Sequence, residues 1–311
     1  MQRRTFITGV AATGMSLAAP KPIAGQSAES ATPEGNTMTE VAPQTGYAPV
    51  NGLQMYYELH GAGDPLVLLH GAYATIDLWG PILSTLAENR QVIAVELQGH
   101  GHTADIDRPF SYEQMADDTA ALLRHLEIDQ VDVVGYSVGG AVGLQLAVRH
   151  PELVRKLVPF GGTSYRPDGL HPEMLAGGET MTPEQLAGAL AGTPWQEAYA
   201  RIAPNPDDWL TLVEKKMDMD HRWQGWAPET IQAIAAPVLI IVGDSDIVRP
   251  EHVVELFRLL GGGVPGDLVG LPKSQLAILP GITHVTIVFE RTNILLAMIE
   301  AFLAAPLPES A

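Results

Sequence analysis

The sequence predicts an α/β protein, a mostly parallel doubly wound sheet with a helical cap inserted late in the chain. Three observations carry that prediction. Apolar runs rich in Val, Ile and Leu recur at residues 65–69, 91–96, 131–134, 154–160 and 237–242, without the polar alternation of strands that face water; such runs mark strands covered on both faces. Helical patterns separate several of them, as parallel neighbours require. Over residues 165–235 the alternation lapses, and helix starts follow one another with no strand between them.

The chain has 311 residues and a net charge of −18. That charge argues against nucleic acid or an anionic membrane surface as a partner. There is no cysteine, which excludes disulfides, a thiolate nucleophile and cysteine metal sites. Residues 1–45 are expected to be an export signal and linker. Arg3-Arg4-Thr5-Phe6-Ile7 followed by a mildly apolar run resembles a twin-arginine signal, and the run is too short for stable membrane insertion. The expectation is therefore contact with export machinery and a periplasmic or secreted protein. The alternative is a cytoplasmic protein with a plain tail.

Folded sequence is expected from residue 46, with the core over residues 46–164 and 237–305, the cap over 165–236 and a tail at 306–311. Asn51-Gly52 between two alternating runs signals a hairpin. Strand 65–69 ends at His70-Gly71-Ala72-Tyr73, and strand 91–96 leads into Gln98-Gly99-His100-Gly101-His102-Thr103. His100 and His102 form a His-x-His with no spaced third ligand, too little for a metal site. Ser111-x-x-Gln114 reads as a capping box opening the next helix. In the cap, Thr182-Pro183-Glu184-Gln185 is a second box with proline at the first helical position. Four of the five tryptophans, Trp195, Trp209, Trp223 and Trp226, fall there, which suits a bulky apolar pocket or the mutual packing of cap helices. Tyr73, Tyr136 and Trp195 are the residues expected to touch substrate.

The organising stretch is Val131-Asp-Val-Val-Gly135-Tyr-Ser137-Val-Gly139-Gly140, a β-branched strand run, a tight turn and a helix that continues to residue 150. A serine at such a turn is held in a strained backbone conformation that lifts Oγ clear. Gly135 and Gly139 answer a close approach of strand and helix. The helix begins with unpaired N–H groups, so Val138 N–H would stabilise an oxyanion near Ser137. Later strands end at Gly243-Asp244-Ser245-Asp246 and, after strand 274–279, at Pro280-Gly281-Ile282-Thr283-His284; a closing helix is expected over 288–303. The connection 261–273 reads as a glycine- and proline-rich loop, and His252 as a helix-surface residue.

Gly-x-Ser-x-Gly between strand and helix resembles the nucleophile elbow of the α/β-hydrolase superfamily. The chain order Ser137, Asp246, His284 is the one that family uses. The resemblance implies Ser137 as nucleophile, His284 as base and Asp246, rather than Asp244, as the acid that orients the imidazole. Strand 154–160 has no carboxylate at its end to take that role. It implies Ala72 and Val138 N–H as the oxyanion hole, His70 as a support for its loop, and no cofactor and no metal. The His-rich loop departs from the family's Gly-His-Gly-x-Ser pattern, with Thr103 for serine and Glu96 where an aspartate is usual. The implied function is hydrolysis of a small apolar carboxylic ester or lactone. Carbon–carbon bond hydrolases and cofactor-free haloperoxidases share the same arrangement, and a non-catalytic ligand-binding member of the fold is the alternative from another class.

Overall fold

The computed structural model describes residues 42–307. The expected export signal, and the expected linker up to residue 41, lie outside the described residues. β1 (Gln44–Val50) and β2 (Leu53–His60) form the hairpin, turning at Asn51 and Gly52 with φ of 48° and 87°. Two successive positive φ values are what a turn matched to strand twist requires. β3 (Asp64–Leu69) buries its last four residues, and α1 (Gly80–Ala87) carries the chain to β4 (Arg90–Val95). α1 went unread in the sequence because it opens on Gly80-Pro81 and buries only Ile82 and Leu86.

α2 (Tyr112–His125) starts as expected at Ser111, whose Oγ accepts from Gln114 N at 3.1 Å. The box is half made, since the Gln114 side chain donates to Asp118 instead of turning back to the cap. β5 (Val131–Tyr136) is buried throughout and runs directly into α3 (Val138–Arg149), after which β6 (Val154–Phe160) closes the first half. Five helices then separate β6 from the next strand: α4 (Pro172–Thr180), α5 (Pro183–Ala189), α6 (Pro194–Ile202), α7 (Trp209–Arg222) and α8 (Pro228–Gln232). α5 has both halves of its capping box, Thr182 with Gln185, behind Pro183.

β7 (Leu239–Ser245), α9 (Pro250–Leu259), the short α10 (Gly266–Val269), β8 (Gln275–Thr283), α11 (Thr286–Phe289) and α12 (Thr292–Ala304) complete the chain. Three details differ from expectation. The 261–273 connection contains α10, the closing helix is split in two, and β8 runs on through Pro280-Gly281 to Thr283. Proline is tolerated there because β8 is an edge strand with no second ladder to feed.

The sheet order is β1-β2-β4-β3-β5-β6-β7-β8, antiparallel at β1, β2 and β4 and parallel from β4 to β8. One face packs on α2, α3, α9 and residues of α7 and α8; the other packs on α1, α11 and α12. Because β3, β5, β6, β7 and β8 run parallel, their carboxyl ends share one edge. The strand order reverses about β3, where such sheets gather their functional groups. Side chains of the inserted helices tie down over core loops: Lys215 Nζ donates to Asp105 and to the carbonyls of Ile106 (2.7 Å) and Arg108 (3.2 Å), and Trp226 Nε1 donates to Glu113 Oε1 at 2.7 Å.

Candidate active site

Ser137 joins β5 to α3 with φ 53° and ψ −115°. A non-glycine residue held there costs about 1–3 kcal/mol, and only a surrounding that over-determines it keeps it so. Here Ser137 N donates to Phe160 O at 2.9 Å, and its carbonyl accepts from Gly140 N (2.9 Å) and Ala141 N (3.2 Å). The close crossing read from Gly135 and Gly139 is real. A Cβ on Gly139 would stand 1.9 Å from Leu69 O, and one on Gly135 would stand 2.3 Å from Gly139 O.

His284 begins the turn after β8, and Asp246 the turn after β7. His284 Nδ1 lies 3.0 Å from Asp246 Oδ1, which also accepts from Ile247 N at 2.6 Å. Asp246 is 5% exposed, and its Oδ2 is buried with no donor among the described residues. A carboxylate so poorly solvated draws on the one N–H of the imidazole, which fixes Nδ1 as the protonated nitrogen and leaves Nε2 as an acceptor. Asp244 is exposed; its carboxylate accepts from Gly281 N at 2.9 Å, tying β7 to β8, and from Ser245 Oγ at 3.2 Å within its own loop. Backbone donation from Gly281 holds its carboxyl below the usual carboxylate range.

The His284 ring lies 5.3 Å from the Tyr136 ring, at 28°, and the Tyr136 hydroxyl donates to His284 O at 3.0 Å. The imidazole thus stands beside the residue that precedes Ser137. Gly162 leaves the room for it, since a Cβ there would come within 2.6 Å of His284 Cε1 and Nδ1. Ser137 Oγ makes no hydrogen bond among the described residues, and its side chain lines a cavity. On the other side, the N–H groups of Ala72 and Val138 also have no acceptor among the described residues. Tyr73, next to Ala72, takes φ 64°, a second strained residue at this edge.

The neighbouring histidines are structural. His70 Nε2 accepts from Leu97 N (3.1 Å) and its Nδ1 reaches Gly71 O (2.8 Å), joining the loops after β3 and β4. Burial lowers its pKa to about 4 and that of His100 to about 3. Glu96 receives the His102 backbone N–H (2.5 Å) and ring Nδ1 (2.9 Å) as well as Ile76 N (3.3 Å), so the longer carboxylate serves as a loop clasp. His252 is not on a helix surface. It is 2% exposed, 2.8 Å from Ser164 Oγ and stacked 4.6 Å from the Tyr165 ring.

Ser137 and Val138 line a cavity of about 710 Å³. Of the three residues expected against substrate, Tyr73 lines it. Tyr136 is turned to His284, and Trp195 on α6 is absent from the lining; Trp223 occupies the wall instead. Trp209 packs between Tyr73 and Tyr199, with ring separations of 5.9 and 5.3 Å. The sequence also concealed Lys216, 7% exposed on the cavity wall with Asp220 one helical turn on. Its signal was a lysine flanked on the same face by Leu212, Val213 and Met217.

A doubly wound sheet with a serine on a strained strand-to-helix turn and a buried aspartate hydrogen-bonded to a histidine at nearby strand ends defines a class of hydrolase scaffold. Residues 64–175 match the model of the alpha/beta hydrolase fold family. A protein of Azorhizobium caulinodans provisionally named carbamate hydrolase RutD is 29% identical over 70% of this chain and 86% of its own length. The 2-hydroxymuconate semialdehyde hydrolase of Pseudomonas sp. strain CF600 is 39% identical, over 32% of this chain and 37% of that protein. The enol-lactonase of Burkholderia xenovorans LB400 superposes with a TM-score of 0.64 at 21% identity, covering 83% of this chain and all 100% of that one. The chain has the alpha/beta hydrolase fold, and its residues 64–175 carry that family's sequence pattern.

Proposed function

We propose that the protein is a serine hydrolase that cleaves a carboxylic ester or lactone through an acyl-enzyme on Ser137. The observation that carries this reading is the Asp246–His284 hydrogen bond, 3.0 Å, at the sheet edge that also bears the strained Ser137. With Nδ1–H given to Asp246, His284 Nε2 takes the Ser137 proton as Oγ bonds to the substrate carbonyl carbon. The carbonyl electron pair moves to oxygen, and the free N–H groups of Ala72 and Val138 receive that oxyanion. Collapse expels the alkoxide, which takes the proton from Nε2. Water then repeats the sequence on the acyl-enzyme, giving its proton to Nε2 and releasing the acid and the free hydroxyl. The buried Asp246, with one carboxylate oxygen lacking a donor, stabilises the imidazolium in both halves. These steps call on no cofactor. The twin-arginine-like residues add that the substrate is met in the periplasm or outside the cell.

The test is a fluorophosphonate probe with short p-nitrophenyl esters. Wild type should be labelled at Ser137, and Ser137→Ala should lose more than about a thousandfold in turnover while keeping its fold. Undiminished turnover by that variant removes Ser137 as nucleophile. A second reading, hydrolysis of a carbon–carbon bond beside a ketone, is favoured by the likeness to the semialdehyde hydrolase. It is the one to adopt if the probe labels Ser137 but no ester or lactone turns over.

A further inference from the structure

We propose that Lys216, Tyr73 and Tyr112 form an acceptor-binding subsite in the cavity beside Ser137, selecting substrates that carry a second, uncharged oxygen such as a keto or amide carbonyl away from the scissile bond. This rests on the reading of Ser137 as nucleophile. All three side chains line the same cavity as Ser137. Lys216 Nζ donates to both carboxylate oxygens of Asp220, at 2.6 and 2.5 Å. An ammonium has three N–H bonds, so one is left, and it has no acceptor among the described residues. The hydroxyls of Tyr73 and Tyr112 likewise hydrogen-bond to no group among the described residues. Three donors therefore share a cavity whose other walls include Met174, Leu175, Met181 and Met217.

Charge decides which acceptor fits. Asp220 neutralises Lys216, so the subsite has donors but no net charge, and a carboxylate on the ligand would meet the Asp220 carboxylate. A dipolar oxygen meets no such repulsion. Burial and the nearby Asp220 carboxylate push both phenols well above the ordinary tyrosine range, which keeps them protonated as donors. A site built to hydrogen-bond a substrate group discriminates strongly against the analogue that lacks it, because its own donors are then stranded.

The test uses the whole protein and three p-nitrophenyl esters of matched length: a plain alkanoyl chain, one with an internal ketone, and one ending in carboxylate. Wild type should favour the keto ester over the alkanoyl ester by about tenfold or more in kcat/KM, with the carboxylate ester last. Lys216→Met should bring the keto-to-alkanoyl ratio towards one. Asp220→Asn, whose side chain is 50% exposed and so tolerant of change, should raise the carboxylate ester above the keto ester, because the lysine charge is then unmatched. Titration calorimetry of the matching methyl esters against Ser137→Ala reads the same order without chemistry. If wild type turns over no ester, the ester reading fails while this binding order still judges the subsite. Equal affinity for keto and alkanoyl ligands, or an order that Lys216→Met and Asp220→Asn both leave unchanged, overturns the proposal.

Discussion

The elbow and the inserted helices answer the same substitution in opposite ways. Around Ser137 every residue of β5 and ten of the twelve residues of α3 are buried. In the insertion, α5 buries none. An added Cβ at Gly139 or Gly135 would fall inside backbone atoms, whereas one at Gly188 on α5 would meet nothing within 4 Å. The difference separates two jobs. A strained serine persists only where no neighbour can relax. A wall that chooses among substrates needs donors in place but not a closed lattice of contacts: α5 buries no residue, while α7 and α8 send Leu212, Val213 and Ile231 into the core and Lys215 and Trp226 add polar ties to it.

The severest test of that contrast is Gly139→Ala. The new methyl would lie 1.9 Å from Leu69 O, a backbone atom of a central strand that cannot step aside. We expect a loss of about 3 kcal/mol or more, the upper end for an overpacked core with backbone displacement, or outright failure to fold. Urea unfolding and ester turnover measure it. A stable, active Gly139→Ala protein would mean that β3 and α3 have slack, and the contrast would be gone.

A middle-sized effect tests where the rigid region stops. His252 and Ser164 stand at the root of the insertion, and burial, with the Arg166 guanidinium nearby, lowers the His252 pKa from 6.5 to about 4. The ring is neutral in the folded chain and takes up a proton in the unfolded one below pH about 6.5. Its stabilisation is thus intact above that pH and is lost as pH falls towards 4, by up to about 3 kcal/mol at about 1.4 kcal/mol per unit. His252→Gln keeps a partner for Ser164 and cannot titrate. Its urea stability should fall less steeply than wild type over that window. Parallel profiles would show the root of the insertion open to water, and the rigid region would end at β6.

How far the sequence could be read follows the same division. The elbow was legible because glycine spacing, β-branched residues and a helix start are local signals, and Gly135, Ser137 and Gly139 report a crossing that any chain with that pattern must solve. Asp246 and His284 were singled out by the superfamily resemblance and their places after strands, and the structure brings them within 3.0 Å of each other. What stayed hidden depended on tertiary burial. A lysine at 216 beside another at 215 reads as surface until Leu212, Val213 and Met217 are seen to face the same way. His252 reads as a surface helix residue until Tyr165 covers it. Trp195 and Trp223 are equivalent in the sequence, and only the folding of α6 and α7 puts one against the cavity and not the other. α1 was missed because a helix with two buried residues leaves little periodicity to find.

The smallest expected effect lies at Gly188→Ala. Gly188 is the next-to-last residue of α5, with nothing within 4 Å for a methyl to strike, so the change acts through the unfolded chain, which loses freedom that glycine alone supplies. Helix propensity then predicts a gain of about 0.5–1 kcal/mol and a rise of about 1–3 °C in melting temperature. Ester turnover should change less than about twofold, because Gly188 is not part of the cavity lining. The sign matters more than the size. If the methyl destabilises the protein, something in solution already packs against α5, and the insertion is as intolerant of added volume as the elbow it covers.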